Sequence, residues 1–366
     1  MISFLHAADL HLDSPFSGLP PEKAAQRRSE QREVLERLVS LAEPVDLVLL
    51  AGDLFDGEKT YYETVEALMQ ALGQMRAQVF IAPGNHDYYS ARSLYERLVW
   101  PENVHIFRSG EIGRVELPRL GCAVYGAAFT GPSCETSLLR DFCAPKDGLL
   151  HLMALHGEVT GGAGSYNPIS LEDISRSGLH YLALGHIHAY GGLKQAGDTR
   201  FAWPGCPQGR GFDETGPKGV LTGTLDETGA NVAFVPTSRR NYEIYPVDLS
   251  AYETAEEALD KSLPSDMREE ICRVVLTGES GESRMDLSAL YSLLKNRCYH
   301  ISLLDKTHIR RDIWARAGED TLTGLFLRSL RAAYEHAESP EEQERVERAV
   351  RFGLAALECR EDPYLT

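Results

Sequence analysis

The sequence has no apolar run of about 18 residues, the length that a membrane-spanning helix requires. Its start, MISFLHAADL, also lacks the basic and apolar regions of a signal peptide. The seven cysteines are scattered, odd in number and without a CxxC pair, so free thiols in a reducing compartment are the simplest interpretation. We therefore expect a cytoplasmic protein that does not enter a membrane.

An excess of basic residues is absent as well, because the formal net charge is −17. Taken alone, this charge argues mildly against nucleic acid as a ligand, since phosphates attract lysine and arginine. The argument is limited in two ways. Buried metal-binding carboxylates would raise the acidic count, and a local basic groove is compatible with an acidic total.

The sequence does contain an alternation of strand and helix signals over its first 190 residues. Short apolar runs bounded by glycine or polar residues are typical of strands buried on both faces, and they read ISFLHAA, VDLVLLAG, QVFIAPG, LLHLMALHG and HYLALGHIH. Segments with apolar residues at helical spacing separate the first three runs. This order predicts an α/β fold (α+β in some classifications), in which helices cover a sheet.

The pattern changes near residue 200, where strands separated by glycine-rich turns predict antiparallel hairpins that extend the sheet. We place a soft boundary soon afterwards. The first domain then covers residues 1–240, and a smaller α/β capping domain covers residues 241–366. Two amphipathic helices, near 320–337 and 340–358, are predicted to end the second domain.

Polar, ligand-capable side chains follow the end of each of the five predicted strands. A lone DxH or HxH carries little weight, but sites in open α/β sheets form beyond the carboxyl ends of strands, so five in order favour one shared site. In an extended segment, residues i and i+2 point to the same side, so Asp9 with His11, and His186 with His188, can each offer two ligands. The candidate ligands are Asp9, His11, Asp53, Asn85, His156, His186 and His188.

Two carboxylates, one amide oxygen and four imidazoles are too many donors for one ion. Two ions about 3.5–4 Å apart that share a bridging carboxylate would use them all. Nitrogen and hard oxygen without thiolate suit Mn²⁺, Fe²⁺ or Zn²⁺ better than Mg²⁺ or Ca²⁺. The glycines before Asp53, Asn85 and His186 allow sharp turns and leave room for metals and substrate.

In chain order, the motifs D-x-H, G-D, G-N-H-D, H and G-H-x-H resemble those of the calcineurin-like metallophosphoesterases, over roughly residues 1–240. The resemblance implies a β-sandwich flanked by helices, with a binuclear metal centre that activates water for phosphoester hydrolysis. It also implies that Asp53 bridges the metals and that His86 helps to protonate the leaving oxygen. The remaining ligands would form one site of Asp9, His11 and His188 and another of Asn85, His156 and His186.

Within that family the sequence resembles the bacterial DNA repair exonucleases of the SbcD type, and most of all their YhaO-like branch. The stretches HAADLHLDSPF, GDLFD, APGNHD and WPGCPQGRGFDETGPKG carry this resemblance. The arginines that protein serine/threonine phosphatases have beside these motifs are absent. The resemblance implies an Mn²⁺-dependent exonuclease or endonuclease that acts at DNA ends, commonly as a homodimer beside a coiled-coil, SMC-like ATPase.

Archaeal and eukaryotic relatives have a second active-site histidine three residues after the bridging aspartate, where this chain has Asp56. A carboxylate at this position could orient His86 or a water molecule, and a turn cap is the alternative. We expect Asp87 to brace the turn after His86 from outside the ligand set.

Three polar residues in the glycine-rich loop, Gln208, Arg210 and Lys218, are candidates for contacts with DNA phosphates, with an ordinary polar hairpin as the alternative. The tail helices either pack on their own domain or dock the ATPase. A DNA enzyme should also bring basic residues of the second domain to the metal cleft. The candidates are Arg268, Arg273, Arg284, Lys295 and Arg297.

Two other functions are compatible with the sequence. The acidic balance favours a phosphodiesterase or phosphatase that acts on small nucleotides. A scaffold that binds DNA ends, with only incidental hydrolysis, is the third possibility. The intact ligand set argues against the scaffold, since binding alone would not need all seven donors.

Overall fold

The computed structural model describes residues 1–57, 59–280, 285–309 and 312–358. Contacts within the chain define two compact units, the first from Met1 to Glu243 and the second from Ile244 onward. Arg284, one of the residues predicted to approach DNA, lies outside the described residues.

The elements of the first unit are, in chain order, β1 (Ile2–Ala7), α1 (Pro21–Ala42), β2 (Leu47–Leu50), α2 (Tyr62–Gln74), β3 (Gln78–Ile81), α3 (Leu94–Arg97), β4 (Val104–Ile106), β5 (Gly113–Leu117), β6 (Cys122–Gly126), β7 (Leu150–His156), β8 (Glu158–Val159), β9 (Pro168–Ile169), α4 (Leu171–Arg176), β10 (Tyr181–Gly185), β11 (Lys194–Ala196), β12 (Thr199–Ala202), β13 (Gly219–Asp226) and β14 (Gly229–Pro236). The elements that follow are β15 (Tyr242–Asp248), α5 (Ala255–Ser262), β16 (Met267–Thr277), β17 (Glu279–Ser280), α6 (Leu287–Leu294), β18 (Cys298–Asp305), β19 (His308–Ile309), a 3₁₀ turn (Ala315–Gly318), α7 (Leu322–Glu335) and α8 (Pro340–Leu357).

Two six-stranded sheets form the first unit, in the orders β14-β13-β1-β2-β3-β4 and β11-β12-β10-β7-β6-β5. Strands β1 to β4 are parallel, as are β6, β7, β10 and β12, whereas the pairs β1/β13, β13/β14, β5/β6 and β11/β12 are antiparallel. The carboxyl ends of β1, β2 and β3 therefore lie at one edge of the first sheet. Those of β7 and β10 lie together in the second.

The apolar core of this unit has three layers. One cluster, which includes Phe4, Leu49 and Tyr181, joins side chains from both sheets and fills the space between them. A second cluster packs α1 and α2 on the outer face of the first sheet, and a third packs α4 on the outer face of the second. The predicted α/β fold is confirmed, because strands such as LVLL of β2 are covered on both faces.

In the second unit, β15, β16 and β18 form a three-stranded sheet whose core includes side chains of α5 and α6. Both tail helices are present near their predicted bounds, and Ser339 caps α8 by accepting a hydrogen bond from the Glu342 amide at 3.2 Å. Phe326, Leu330 and Leu354 belong to a small cluster between these helices. Two of the candidate DNA contacts pair within their own unit, Arg268 with Asp266 and Arg297 with Asp260. Among the residues described, no helix combines the length and apolar character needed to cross a bilayer.

A buried ion cluster ties α1 to the end of the first unit. Glu30 is 2% exposed, and its carboxylate lies 2.5 Å from Arg27 Nη1 and 2.8 Å from Arg240 Nε. Arg27 also donates to the Gly209 carbonyl at 3.0 Å. Burial makes the Arg27 guanidinium dependent on this carboxylate, because an unpaired charge in the interior is strongly unfavourable.

We predict that Glu30→Ala lowers the free energy of unfolding by about 3–5 kcal/mol, because it removes the carboxylate that pairs with the buried Arg27 guanidinium. Glu33→Ala is the matched control, since Glu33 is exposed on the same helix and lies 3.8 Å from Arg239 at the surface. It should change stability by less than about 1 kcal/mol. Denaturant unfolding measures both variants, and equal effects would contradict the proposed importance of the buried cluster.

Candidate metal centre

The predicted ligands lie directly beyond the carboxyl ends of five strands. Asp9, Asp53 and Asn85 follow β1, β2 and β3 of the first sheet. His156 ends β7 of the second sheet, and His186 follows β10. Because the two sheets are stacked, donors from both reach one shared edge of the sandwich.

The loops that hold these side chains have a backbone conformation that the sequence did not indicate. Asp9, His11, Asp53 and His186 have φ values of 53°, 42°, 52° and 96°. Left-handed conformations are uncommon for residues other than glycine. The expectation that Asp9 and His11, or His186 and His188, converge through extended backbone is therefore wrong. Sharp local turns direct these side chains toward the centre instead.

Hydrogen bonds hold these turns against each other. The Asp9 amide donates to the Gly52 carbonyl at 3.0 Å, and the His11 amide donates to the Asp53 carbonyl at 2.9 Å. The ligand carboxylates also accept backbone hydrogen bonds. Asp53 accepts from the His86 amide at 2.9 Å, and Asp9 accepts from the His186 amide at 3.0 Å. Each loop is thus positioned by the next one.

Glycine is required where the loops approach most closely. A Cβ on Gly84 would collide with the Asp53 carboxylate and would lie 2.7 Å from the Asp53 backbone nitrogen. Gly52 has φ +90°, and a Cβ there would collide with the His156 ring. Only a residue without a side chain lets β2 and β3 deliver Asp53 and Asn85 to one place.

The donor atoms form three overlapping clusters, and each of Asp9, His11 and Asp53 belongs to two of them. His11 Nε2 lies 3.6 Å from Asp53 Oδ2, and His156 Nε2 lies 3.4 Å from the same oxygen. Nε2 of His11 and Nε2 of His188 face each other at 3.3 Å. The clusters themselves are Asp9 with His11 and His188, His11 with Asp53 and His86, and Asp9 with Asp53 and His156.

These separations fit ligands of a common cation. Two atoms that each lie about 2.0–2.2 Å from one ion are about 2.8–3.6 Å apart, in octahedral or tetrahedral geometry. The facing Nε2 atoms of His11 and His188 offer two donors to one cation. The residues present therefore fit divalent metal ions, and the buried aspartate and histidine clusters are consistent with a binuclear centre.

The outer nitrogens of the same histidines face oxygen acceptors. His156 Nδ1 donates to the Ala51 carbonyl at 2.9 Å, His188 Nδ1 lies 2.7 Å from Glu214 Oε1, and His11 Nδ1 lies 3.1 Å from Asp56 Oδ1. We assign a proton to Nδ1 of His156 and of His188, which leaves Nε2 of each ring to bind an ion once His156 has lost its second proton. Orientation of a ligating histidine by an acceptor behind it is usual at metal sites.

The other predicted residues lie at the margin of the centre. Asn85 Oδ1 is 2.9 Å from His156 Nε2, and the ring of His186 lies 5.2 Å from that of His156. His86 is exposed, and its Nδ1 lies 3.2 Å from the Asp56 carbonyl oxygen. The backbone of Asp56 thus contacts His86, whereas its carboxylate faces His11 and Arg210.

Asp87 braces two of the ligand loops. Its buried carboxylate accepts hydrogen bonds from the Leu54 amide at 2.7 Å and from the Gly84 amide at 2.9 Å. It also accepts from the Tyr95 hydroxyl at 2.6 Å. Burial, with the charge of Asp53 added, raises the pKa of Asp87.

Burial and charge set the protonation of the centre. Burial lowers the pKa of His11 and that of His186 to about 4, so both imidazoles are neutral at pH 7. Burial also opposes charge on His156, but the Asp53 and Asp9 carboxylates outweigh it and raise its pKa to about 9. Burial alone would raise the pKa of Asp53, yet His156 holds it well below its usual range. In the metal-free protein, a proton on His156 supplies the positive charge that a cation would replace.

The three predicted substrate contacts have partners within the protein. Gln208 and Lys218 are 2% and 6% exposed, and they donate to the Arg27 carbonyl at 3.1 Å and to the His188 carbonyl at 3.2 Å. Arg210 bridges Asp56 at 3.0 Å and Glu214 at 2.7 Å. Lys218 and Arg210 thus contact His188 itself, whereas Gln208 contacts the backbone of α1.

Glu214 is a functional candidate that the sequence reasoning missed. Its carboxylate is 4% exposed, orients His188 and pairs with Arg210. Burial opposes its charge, but His188 and Arg210 hold its pKa well below the usual range. The available signal was an acidic residue inside the glycine-rich stretch QGRGFDETG, where turn-forming polar residues are otherwise expected.

We predict that Glu214→Gln destabilises the metal-free protein by about 1–3 kcal/mol at pH 7, because it removes a buried, charge-assisted interaction. Since folding lowers the pKa of Glu214 from its ordinary value of 4.5, the contribution of its charge is complete above that value. The contribution is lost as the pH falls through the folded value. The difference from wild type should therefore shrink below about pH 4.5.

Chemical unfolding at pH 7, 5 and 4 measures this difference. Glu135→Gln is the control, because Glu135 is exposed and its substitution should have little effect at any pH. A destabilisation by Glu214→Gln that is the same at all three pH values would contradict a role for the charge.

Comparisons with known proteins agree with this geometry. The family model described as calcineurin-like phosphoesterase matches residues 2–190. The uncharacterized metallophosphoesterase YhaO of Bacillus subtilis is 34% identical over 233 residues, which cover 60% of this chain and 56% of that protein. A subunit of the nuclease SbcCD from Rhodobacter capsulatus is 29% identical, over 54% of this chain and 50% of that one.

The DNA double-strand break repair protein Mre11 of Aeropyrum pernix is 31% identical, over 56% of this chain and 53% of its own length. The chain thus spans about half the length of the curated relatives that it matches.

Proposed function

This chain belongs to the calcineurin-like phosphoesterase family, and from that premise we propose that it is an Mn²⁺-dependent DNA nuclease that hydrolyses phosphodiester bonds at DNA ends. One observation carries the proposal. Aspartate and histidine donors from both sheets converge on Asp53, and the exposed His86 lies beside them. The names of two relatives, a nuclease subunit and a double-strand break repair protein, support DNA as the substrate.

In this proposal Asp53 would help to hold both of two divalent ions. Its Oδ2 lies 3.6 Å from His11 Nε2 and 3.4 Å from His156 Nε2, one proposed ligand of each ion, which supports that role. Mn²⁺ is the proposed metal, with Fe²⁺ or Zn²⁺ as alternatives that the same donors accept. One ion would be held by Asp9, His11 and His188, and the other by Asn85, His156 and His186.

When bound, such ions supply Lewis acidity toward water and toward the phosphoryl oxygens. The protein contributes the geometry and a proton. His86 is proposed to protonate the leaving oxygen, because its imidazole is exposed and lies at the edge of the donor cluster. The Asp56 carbonyl accepts from His86 Nδ1, which fixes the ring and leaves Nε2 to deliver a proton.

The partners are proposed as well. The resemblance to SbcD-type exonucleases implies a coiled-coil ATPase as the partner. A subunit name among the relatives supports assembly with a second subunit, and α7 offers exposed apolar side chains for docking, at Leu322 and Leu325. A homodimer and a cytoplasmic location stay predictions.

A phosphodiesterase that acts on small nucleotides is the second candidate. The net charge of −17 favours it, because a small substrate needs no extended basic surface. It would use the same metals and the same proton donor, so only the substrate distinguishes the two functions.

We predict that the protein degrades end-labelled single- or double-stranded DNA with Mn²⁺, and that His86→Ala lowers kcat by about 10²–10⁴-fold. Mn²⁺ binding, followed by calorimetry, should persist in His86→Ala and weaken in Asp53→Ala. His308→Ala, an exposed histidine of the second unit, should retain wild-type activity. Chelation of the metal should abolish cleavage by every variant.

The protein could leave DNA intact and yet hydrolyse bis(p-nitrophenyl) phosphate in a reaction that depends on His86. This result would support the metal centre as the active site. That outcome would replace DNA by a small phosphodiester. No hydrolysis of either substrate would contradict both functions.

A further inference from the structure

A cavity of about 570 Å³ lies beside His86. Its walls come from residues in and before the single turn of α3, among them Tyr88, Arg92 and Arg97, together with Phe55, Gly57, His86 and the buried Asp87. This volume lies in the range of sites that bind small organic ligands. None of the proposed metal ligands lines the cavity.

The cavity carries positive charge in a strongly acidic chain. Arg92 and Arg97 are exposed on its wall, and neither guanidinium group forms an ion pair or a hydrogen bond with any residue that the structure describes. Arg108 and Arg114, by contrast, lie 3.4 Å and 2.6 Å from glutamate carboxylates in the same unit. Arg92 and Arg97 are therefore available for an external anion, and guanidinium groups bind phosphate well.

The wall is built before any ligand arrives. Tyr95 is buried and donates to Asp87 at 2.6 Å, and the Tyr89 amide donates to the Phe129 carbonyl at 2.8 Å. Ser93 Oγ donates to the Ser90 carbonyl at 2.8 Å and closes the turn that carries Arg92. A preformed wall lowers the entropic cost of binding. Because Asp87 also holds the loops of two metal ligands, the cavity has a fixed relation to the centre.

We infer that this cavity binds the nucleotide on the leaving-group side of the scissile bond, with Arg92 and Arg97 on the next phosphate. The inference rests on the proposed function and deepens it. His86 indicates that the cavity lies on the leaving-group side of the scissile bond, because it lines the cavity and is the proposed proton donor to the leaving oxygen. Tyr88 is half-buried in the wall and supplies an aromatic face on which a base stacks.

A subsite of this kind selects the substrate. A leaving group that carries a further phosphate gains charge-assisted contacts, whereas a phosphate monoester of a simple alcohol does not. The chain would thus favour an internal position of a polynucleotide strand, or an oligonucleotide, over a small phosphoester, despite its acidic total.

The test compares the dinucleotide dTpdT with pdTpdT and dTpdTp, which carry one extra phosphate at opposite ends, as Mn²⁺-dependent substrates. One of the two phosphorylated forms should have a kcat/KM at least about tenfold above that of dTpdT. In the double variant Arg92→Ala/Arg97→Ala this preference should fall close to one. The double variant Arg92→Lys/Arg97→Lys should recover part of it, because the charge remains.

Arg119→Ala is the matched control, since Arg119 is exposed in the same unit but lies outside the cavity, and it should keep the wild-type preference. Thermal unfolding confirms that the variants are folded. A preference that survives the double alanine variant, or wild-type protein that hydrolyses all three substrates equally, would overturn the subsite and leave the nuclease proposal standing. Wild-type protein that hydrolyses neither the dinucleotides nor DNA would overturn both.

Discussion

The structure of the first unit depends on two buried carboxylates, those of Asp9 and Asp53. Each is 1% exposed, so the protein must compensate charge where water does not reach. Histidines and backbone amides supply this compensation, and their placement requires the two sheets to be aligned at their edge. First-sheet loops bring the carboxylates, and the second sheet brings His156 and His188. The packing of the two sheets thus brings the buried carboxylates close to the histidines and amides that compensate their charge.

Arg210 extends this compensation outward. Its guanidinium lies between Asp56 and Glu214, and these carboxylates face His11 and His188 in turn. Two proposed ligands from different sheets are therefore oriented by one cation behind them. Through this network, the position of a single loop, 210–218, helps to determine how the proposed metal ligands are oriented. This explains why polar residues in a glycine-rich segment became buried instead of remaining in solvent.

The fold class and the set of convergent donors could be predicted from sequence, because strand burial and the position of polar residues after strands are local patterns. The orientation of the donor side chains could not be predicted. It depends on left-handed backbone at Asp9 and His186, and although aspartate and histidine adopt it more often than most residues, propensity does not say at which positions they do so. The roles of Arg210 and Glu214 depend on contacts with Asp56, 154 residues away, and with the loop of His188. Such distant pairings are decided by packing and leave no periodic signal.

The left-handed turns have one more consequence. Each such residue other than glycine carries about 1–3 kcal/mol of conformational strain, and four of them lie within one centre. Glycine at these positions would relax the backbone, but it would remove the carboxylates and imidazoles that could hold metal ions. The centre therefore concentrates backbone strain at the positions whose side chains could bind metal ions.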